Sequence, residues 1–136
     1  MITNKLKLSG LRQTYQRAKI LEFLTQTKSH PTAFEIYKKI AQHIPTVSKT
    51  TVYNNVHILA QEGLIKCIRT KDHEMRFDGD IEPHCHFSCD ICGKVFDAGC
   101  SCADMLKDEI EGHTVKSLFV CFSGICKNCK EKNKKT

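Results

Sequence analysis

Cys89-x-x-Cys92 and Cys126-x-x-Cys129 are two cysteine pairs of the same short spacing. A two-residue gap lets both thiolates of a turn reach one ion at about 2.3 Å, and two such turns complete a tetrahedron. Soft thiolates in closed four-coordination favour structural Zn²⁺. The alternatives are two unrelated redox or buried pairs, or a rubredoxin-type iron centre. A glycine follows Cys92 but none follows Cys129, which disfavours the iron centre. A second group offers harder donors. His84 and His86 alternate in a predicted strand and so project from one face. Asp78 and Asp97 stand near that strand in sequence, and His30 lies just before a predicted helix. Imidazoles with carboxylate oxygens suit Fe²⁺, Mn²⁺ or Zn²⁺ better than a thiolate-loving ion. Taken singly, each of these five residues also reads as an ordinary surface or core side chain.

The elements that must position these groups fall into two halves. In the first, Thr14 caps a helix running to about Gln26, with Ala18, Leu21 and Leu24 at helical spacing and Ile20 and Phe23 widening the stripe. The breaker His30-Pro31 follows. Thr32 and Glu35 form a capping box, in which Glu35 is expected to reach back to the cap amide. Ala33, Ile36, Tyr37 and Ile40 make that helix's buried stripe. Ser48 caps a third helix, closed by Gly63, with Val52, Val56, Leu59 and Ala60 on its apolar face. Lys49, Thr50, Tyr53, Asn54 and His57 lie on its other faces. Two strands, 64–69 and 74–77, turn at Lys71-Asp72-His73. Three helices and a hairpin are the plan of a winged helix-turn-helix, whose third helix enters a DNA major groove. A small helical domain with a solvated polar face is the plainer alternative.

Residues 79–83 read as a linker, so the expected division is 1–78, 79–83 and 84–136. Beyond the linker come predicted strands at 86–89 and 94–97. A helix near 102–112 follows, with Met105, Leu106 and Ile110 on its apolar side, and then a strand at 115–122. The stretch 127–135 reads as a polar, frayed tail. This second half is too small to be secure on a hydrophobic core alone, so a metal staple or a dimer interface is expected. The fold class is therefore α+β.

Composition agrees with this division. The chain has 136 residues, 40% hydrophobic and 26% charged, a globular mixture. Residues 1–78 hold 13 Lys/Arg against 6 Asp/Glu, while residues 79–136 hold 8 against 9. The positive excess sits wholly in the first half, which suggests a polyanion-binding half; a solvated basic surface is the plainer alternative. Eight of the nine cysteines fall after residue 84, and an odd count without a secretion signal fits poorly with a disulfide scaffold. The longest apolar run, about residues 118–122, is far short of the roughly 20 residues of a membrane span. The first ten residues carry no apolar signal core. A cytoplasmic protein without a membrane partner is expected.

The segments HPTAFEIY at 30–37, SKTTVYNNV at 48–56, RFDGDIEPHCHFSCDICGKVFD at 76–97 and GICKNC at 124–129 resemble the ferric-uptake-regulator (Fur) family. The resemblance covers about residues 8–130. It implies a homodimeric, metal-dependent DNA-binding repressor with an N-terminal winged helix and a C-terminal α/β dimerisation domain. Within the family the chain looks most like the peroxide-responsive (PerR) branch. By that resemblance the structural zinc falls on Cys89, Cys92, Cys126 and Cys129. The regulatory Fe²⁺ or Mn²⁺ ligands fall on His30, Asp78, His84, His86 and Asp97, a set that also accepts Zn²⁺ in vitro. His30 and His84 are then the side chains oxidised when peroxide meets the iron form. Tyr53, Asn54 and Asn55 resemble the family's groove-facing residues, beside Lys49, Thr50 and Thr51 on the same helix; Arg12, Gln16 and Arg17 resemble its basic lead-in. The iron-sensing branch usually has Glu where Asp78 and Asp97 stand, and extra ligands where this chain has Pro83 and Cys85. An iron- or zinc-responsive repressor is the nearest alternative.

An ion shared by His30 and Asp78 of the first half and His84, His86 and Asp97 of the second would set the two halves in one orientation. Across a two-fold dimer it would set the spacing of the two third helices, so the operator is expected to be a pseudo-palindromic DNA duplex. A metalloenzyme is disfavoured. The deaminase signature needs Glu two residues after a ligand His, and here Thr32, His86 and Ser88 follow His30, His84 and His86. No role transfers to Cys67, Cys85, Cys100, Cys102 or Cys121. Cys85 should point away from its two flanking histidines, and Cys100-x-Cys102 reads as a thiol pair without a function.

Overall fold

The computed structural model describes residues 2–71, 74–99 and 105–134. By its internal packing the chain forms two compact units, Met1–Ile81 and Glu82–Thr136.

The first unit is a winged helix. Helix α1 (Ile2–Leu8) has no counterpart in the sequence expectations; it buries Leu6 completely in the core. Helix α2 (Tyr15–Gln26) begins where the Thr14 hydroxyl accepts the Arg17 amide at 3.2 Å. Helix α3 (Ala33–His43) begins at Thr32, which accepts the Glu35 amide at 3.2 Å. The Glu35 carboxylate meets the Thr32 hydroxyl at 3.4 Å, so the expected reach to the cap amide is replaced by a side-chain contact. Helix α4 (Lys49–Gln61) begins at Ser48, which accepts the Thr51 amide at 3.1 Å, and Gly63 follows it in the left-handed conformation of a helix stop. Such caps satisfy amides that would otherwise lack partners, each worth about 1 kcal/mol.

Ile20, Leu21 and Leu24 of α2, Ile36 and Ile40 of α3, and Val52, Val56 and Leu59 of α4 meet in one core with Ile65 and Phe77. The wing is an antiparallel pair, β1 (Lys66–Arg69) and β2 (Met75–Asp78), with Lys66 opposite Asp78. Asp72 and His73 of the expected turn lie outside the described residues. Gly79, directly after β2, lies against the end of α2. A Cβ at Gly79 would collide with the Leu24 carbonyl, so only glycine permits this approach.

The second unit is built on strand β3 (Cys85–Cys89), paired antiparallel with β4 (Val95–Ala98). The expected helix at 102–112 is not what the described part shows. Residues 100–104 lie outside the description, and β5 (Glu109–Ile110) and β6 (His113–Thr114) form a short hairpin. Its turn residues Glu111 and Gly112 both have positive φ, which ends any helix there. Met105, Leu106 and Ile110, expected on a buried face, are exposed. The expected strand at 115–122 is shorter and later: β7 (Cys121–Gly124) pairs parallel with β3. The expected frayed tail is instead helix α5 (Lys127–Lys134), and its Cys129 is buried. Among the described residues, no helix is long and apolar enough to cross a membrane.

Candidate functional site

The parallel register places Cys89 opposite Gly124, which brings Cys126, two residues on, beside the first cysteine turn. The first turn closes as the Gly93 amide donates to the Cys89 carbonyl at 3.0 Å, with Gly93 at positive φ. The second runs into α5, where the Lys130 amide donates to the Cys126 carbonyl at 2.9 Å. Cys89 and Cys129 sulfurs lie 3.9 Å apart, as do those of Cys92 and Cys126, and all four fall within 4.8 Å of one another. Disulfide sulfurs stand about 2.05 Å apart, so these are thiols. Four sulfurs around a tetrahedral ion at about 2.3 Å sit roughly 3.8 Å from each other, so the cluster fits such an ion without rearrangement. The Cys126 amide donates to the Cys89 sulfur at 3.4 Å. That amide first, then that of Cys92, pulls the Cys89 thiol down to about 6. Cys129 is pushed up to about 12, first by its hydrogen bond with Cys126 and then by burial. One sulfur is thus ready to ligate at neutral pH, and the crowding that holds the proton on Cys129 is what a cation would relieve.

The harder donors form two groups, one in each unit. In the first unit His30 is buried, with its Nε2 3.4 Å from Asp78 Oδ2. Its backbone takes φ +51°, rare for a residue with a side chain, and Arg76 Nη1 donates to its carbonyl at 3.2 Å. The Pro31 carbonyl accepts the Phe77 amide at 2.9 Å, which ties the residue after His30 to the strand that carries Asp78. Asp78 Oδ1 accepts the Asp80 amide at 2.9 Å, so its other oxygen is the one that faces His30.

In the second unit, β3 and β4 pair His86 with Asp97. Asp97 Oδ1 lies 3.1 Å from His84 Nε2 and 3.6 Å from His86 Nε2, and the two rings are 4.3 Å apart. His84 Nδ1 donates to the Glu82 carbonyl at 2.7 Å. A carbonyl only accepts, so that nitrogen carries the proton and Nε2 is the atom that could ligate a cation. Two imidazole nitrogens converging on one carboxylate oxygen suit a shared cation. The groups that orient these side chains, the Glu82 carbonyl and the Asp80 amide, are main-chain atoms with no signature in the sequence. Cys85 is fully buried and disulfide-bonded, an exception to the expectation of reduced thiols. Cys67 and Cys121 are free thiols, both pushed upward by burial. Cys100 and Cys102 lie outside the described residues.

On α4, Lys49, Thr50 and Asn54 are exposed and Tyr53 is half-buried. Thr51 is occupied with the cap, since the Ser48 hydroxyl meets its own at 2.7 Å. Arg17 Nε donates to Asn55 Oδ1 and its Nη1 to the Arg12 carbonyl, both at 2.9 Å. The structure thus brings Arg12, Arg17 and Asn55 into one network, with Gln16 half-buried on the same helix.

The sequence model of the ferric uptake regulator family matches residues 8–119. The chain belongs to the ferric uptake regulator family. This is a family of regulators, not of enzymes. The peroxide operon regulator of Bacillus subtilis is 36% identical over 93% of this chain and 90% of its own length. Among solved structures, the Campylobacter jejuni peroxide stress regulator superposes with a TM-score of 0.70 at 28% identity, covering 95% of this chain and 96% of that one. The Helicobacter pylori ferric uptake regulator, described as having three functional metal binding sites, shares the fold at TM-score 0.73 and 24% identity, covering 93% and 87%. The winged helix, the three-stranded sheet and the four-cysteine cluster of this chain are thus a ferric uptake regulator fold.

Proposed function

We propose that this chain is a metal-dependent transcriptional repressor that binds double-stranded operator DNA as a homodimer and responds to peroxide. The observation that carries the reading is the separation of donor types: one closed set of thiolates, and two open sets of imidazole and carboxylate, one in each unit. Cys89, Cys92, Cys126 and Cys129 hold a structural Zn²⁺. His30 and Asp78 join His84, His86 and Asp97 around one regulatory ion, Fe²⁺ or Mn²⁺. Neither set alone offers more than three ligands, whereas together they would offer five. Shifting two domains from mostly open to mostly closed needs about 3–5 kcal/mol of differential affinity, within reach of a cation with several ligands.

The domains are 1–78 for DNA, 79–83 as hinge and 84–136 for dimerisation. The basic charge lies in the first. The second leaves Phe119, at 67%, and Phe122 and Ile110, about half, exposed to solvent, apolar surface that a partner subunit would cover. Arg12, Gln16, Lys49, Thr50, Tyr53 and Asn54 face the operator, a pseudo-palindrome by the dimer's symmetry, while Thr51, Arg17 and Asn55 hold that surface in shape. Fe²⁺ held by His30, Asp78, His84, His86 and Asp97 would supply the electrons that reduce peroxide. His30 is held on its strained backbone by Arg76, and His84 is turned by the Glu82 carbonyl; these are the imidazoles presented for oxidation. A repressor working inside the cell, in the cytoplasm, is the corresponding localisation.

Anaerobic purification, metal analysis and operator binding with Fe²⁺, Mn²⁺ and Zn²⁺ test the reading. Peroxide should abolish binding only in the iron form and add one oxygen atom to the His30 or His84 peptide by mass spectrometry. Loss of binding without any such mass gain would point instead to an iron- or zinc-responsive repressor.

A further inference from the structure

Outside the metal sites, the first unit carries a ladder of alternating cations and rings across two helices. Lys38 Nζ lies 5.2 Å from the centre of the Phe34 ring, and Lys49 Nζ lies 4.9 Å from the same ring. Lys49 is also 5.5 Å from the Tyr53 ring. Phe34 and Lys38 are four apart on α3, and Lys49 and Tyr53 four apart on α4, so each pair sits on one helical face. Phe34 is 45% exposed, so its ring is open to these cations at the surface. Neither lysine forms an ion pair among the described residues. Glu35, the acidic residue at the start of α3, is turned to the Thr32 hydroxyl and lies 4.0 Å from Arg76 Nη1.

Two ammonium groups drawn to one ring repel each other. A surface that collects them without a carboxylate is complementary to an anion placed outside it. We propose that Phe34 is a positioning residue for Lys38 and Lys49, and that the DNA interface extends from α4 onto α3, where these lysines bind phosphates of the operator backbone. The inference rests on the DNA-binding reading above and adds two residues, Phe34 and Lys38, that the sequence did not single out. A ring restrains a lysine's swing without neutralising it, as a carboxylate would. The partner is the backbone and not the bases, because a lysine held over a ring presents a point charge and no paired donor geometry.

The test is the salt dependence of binding to a duplex oligonucleotide selected by the metal-loaded wild-type protein from a random library. Each lost phosphate contact flattens log K against log salt by about 0.9. Lys38→Gln, at an exposed position, should therefore flatten the dimer's slope by about 1.8 and weaken binding about tenfold at physiological salt. Phe34→Leu keeps both charges; it should still flatten the slope and shrink the effect of a second Lys38→Gln change, while Phe34→Tyr restores both. Wild-type slope and affinity in Lys38→Gln would overturn the proposal, as would weaker Phe34→Leu binding with an unchanged slope. A wild-type protein that binds no duplex under any metal condition would overturn the DNA-binding reading itself.

Discussion

Eleven buried aliphatic and aromatic side chains fill the first unit, whereas the buried cluster of the second consists of Cys89, Cys126 and Cys129 with Phe87 and Phe96 against them. Hydrocarbon burial contributes roughly 1.5–3 kcal/mol for each large side chain, so the first unit has a driving force for folding that does not depend on a metal. The second has little apolar interior, and its sulfurs occupy the place where a core would be. The two units therefore teach different uses of a metal. A thiolate cluster inside one unit holds that unit folded and has no reason to release its ion. Imidazole and carboxylate groups bind less tightly and suit an ion whose presence changes.

This contrast is sharpest in Cys126→Ser. It should empty the thiolate cluster and unfold the second unit while the helices of the first remain, as zinc content together with hydrogen exchange resolved by segment would show. A second unit as protected as in the wild type would mean that its fold does not depend on the ion. His86→Ala comes next. It should leave the zinc content and the thermal transition near wild type but weaken metal-dependent operator binding by a hundredfold or more, since losing a ligand costs more than the roughly 10–100-fold of losing an outer-shell partner. Titration with Mn²⁺ in a gel-shift assay reads this directly.

The pH dependence separates the two ions further. Cys89 is depressed to about 6 in the folded chain, below the ordinary thiol value of 9.0. Its contribution to the stability of the metal-free fold is thus present above that ordinary value and is lost as pH falls towards 6. Zinc affinity of the thiolate cluster should fall more steeply once pH drops below about 6, because Cys89 must then also lose a proton to bind. A competition titration with a chromophoric chelator measures the bend. The smallest effect is expected from Asp78→Glu. It lengthens the carboxylate beside His30 and should reduce peroxide sensitivity severalfold while metal-dependent binding persists; unchanged histidine oxidation would argue against a role for Asp78 in that sensitivity.

Local chemistry was legible wherever a few neighbouring residues decide the outcome. Thr14, Thr32 and Ser48 each cap the helix expected of them, and the stripes of α2, α3 and α4 bury the side chains their spacing selects. The four-cysteine cluster was legible for the same reason, since a two-residue gap already points both sulfurs of a turn at one ion. The second unit misled where its order comes from afar. Met105, Leu106 and Ile110 have helical spacing, yet the described part of that segment forms a two-residue hairpin around Glu111 and Gly112. The charged stretch 127–134 has no apolar stripe, and its helix is anchored by two buried cysteines at its start.

Residue types and short spacings alone determined which donors this protein has, hard or soft, and that its basic charge lies with the helices. Only the tertiary structure decided which atoms face one another. The parallel pairing of β3 with β7 joins cysteine turns 34 or more residues apart in sequence. The Pro31–Phe77 bond brings His30 to Asp78, and the packing of α3 against α4 brings Lys49 over the Phe34 ring. The reason is physical: a cap or a chelating turn spends little chain entropy, whereas contacts between distant segments form only when the packing of everything between them repays the closure of the loop.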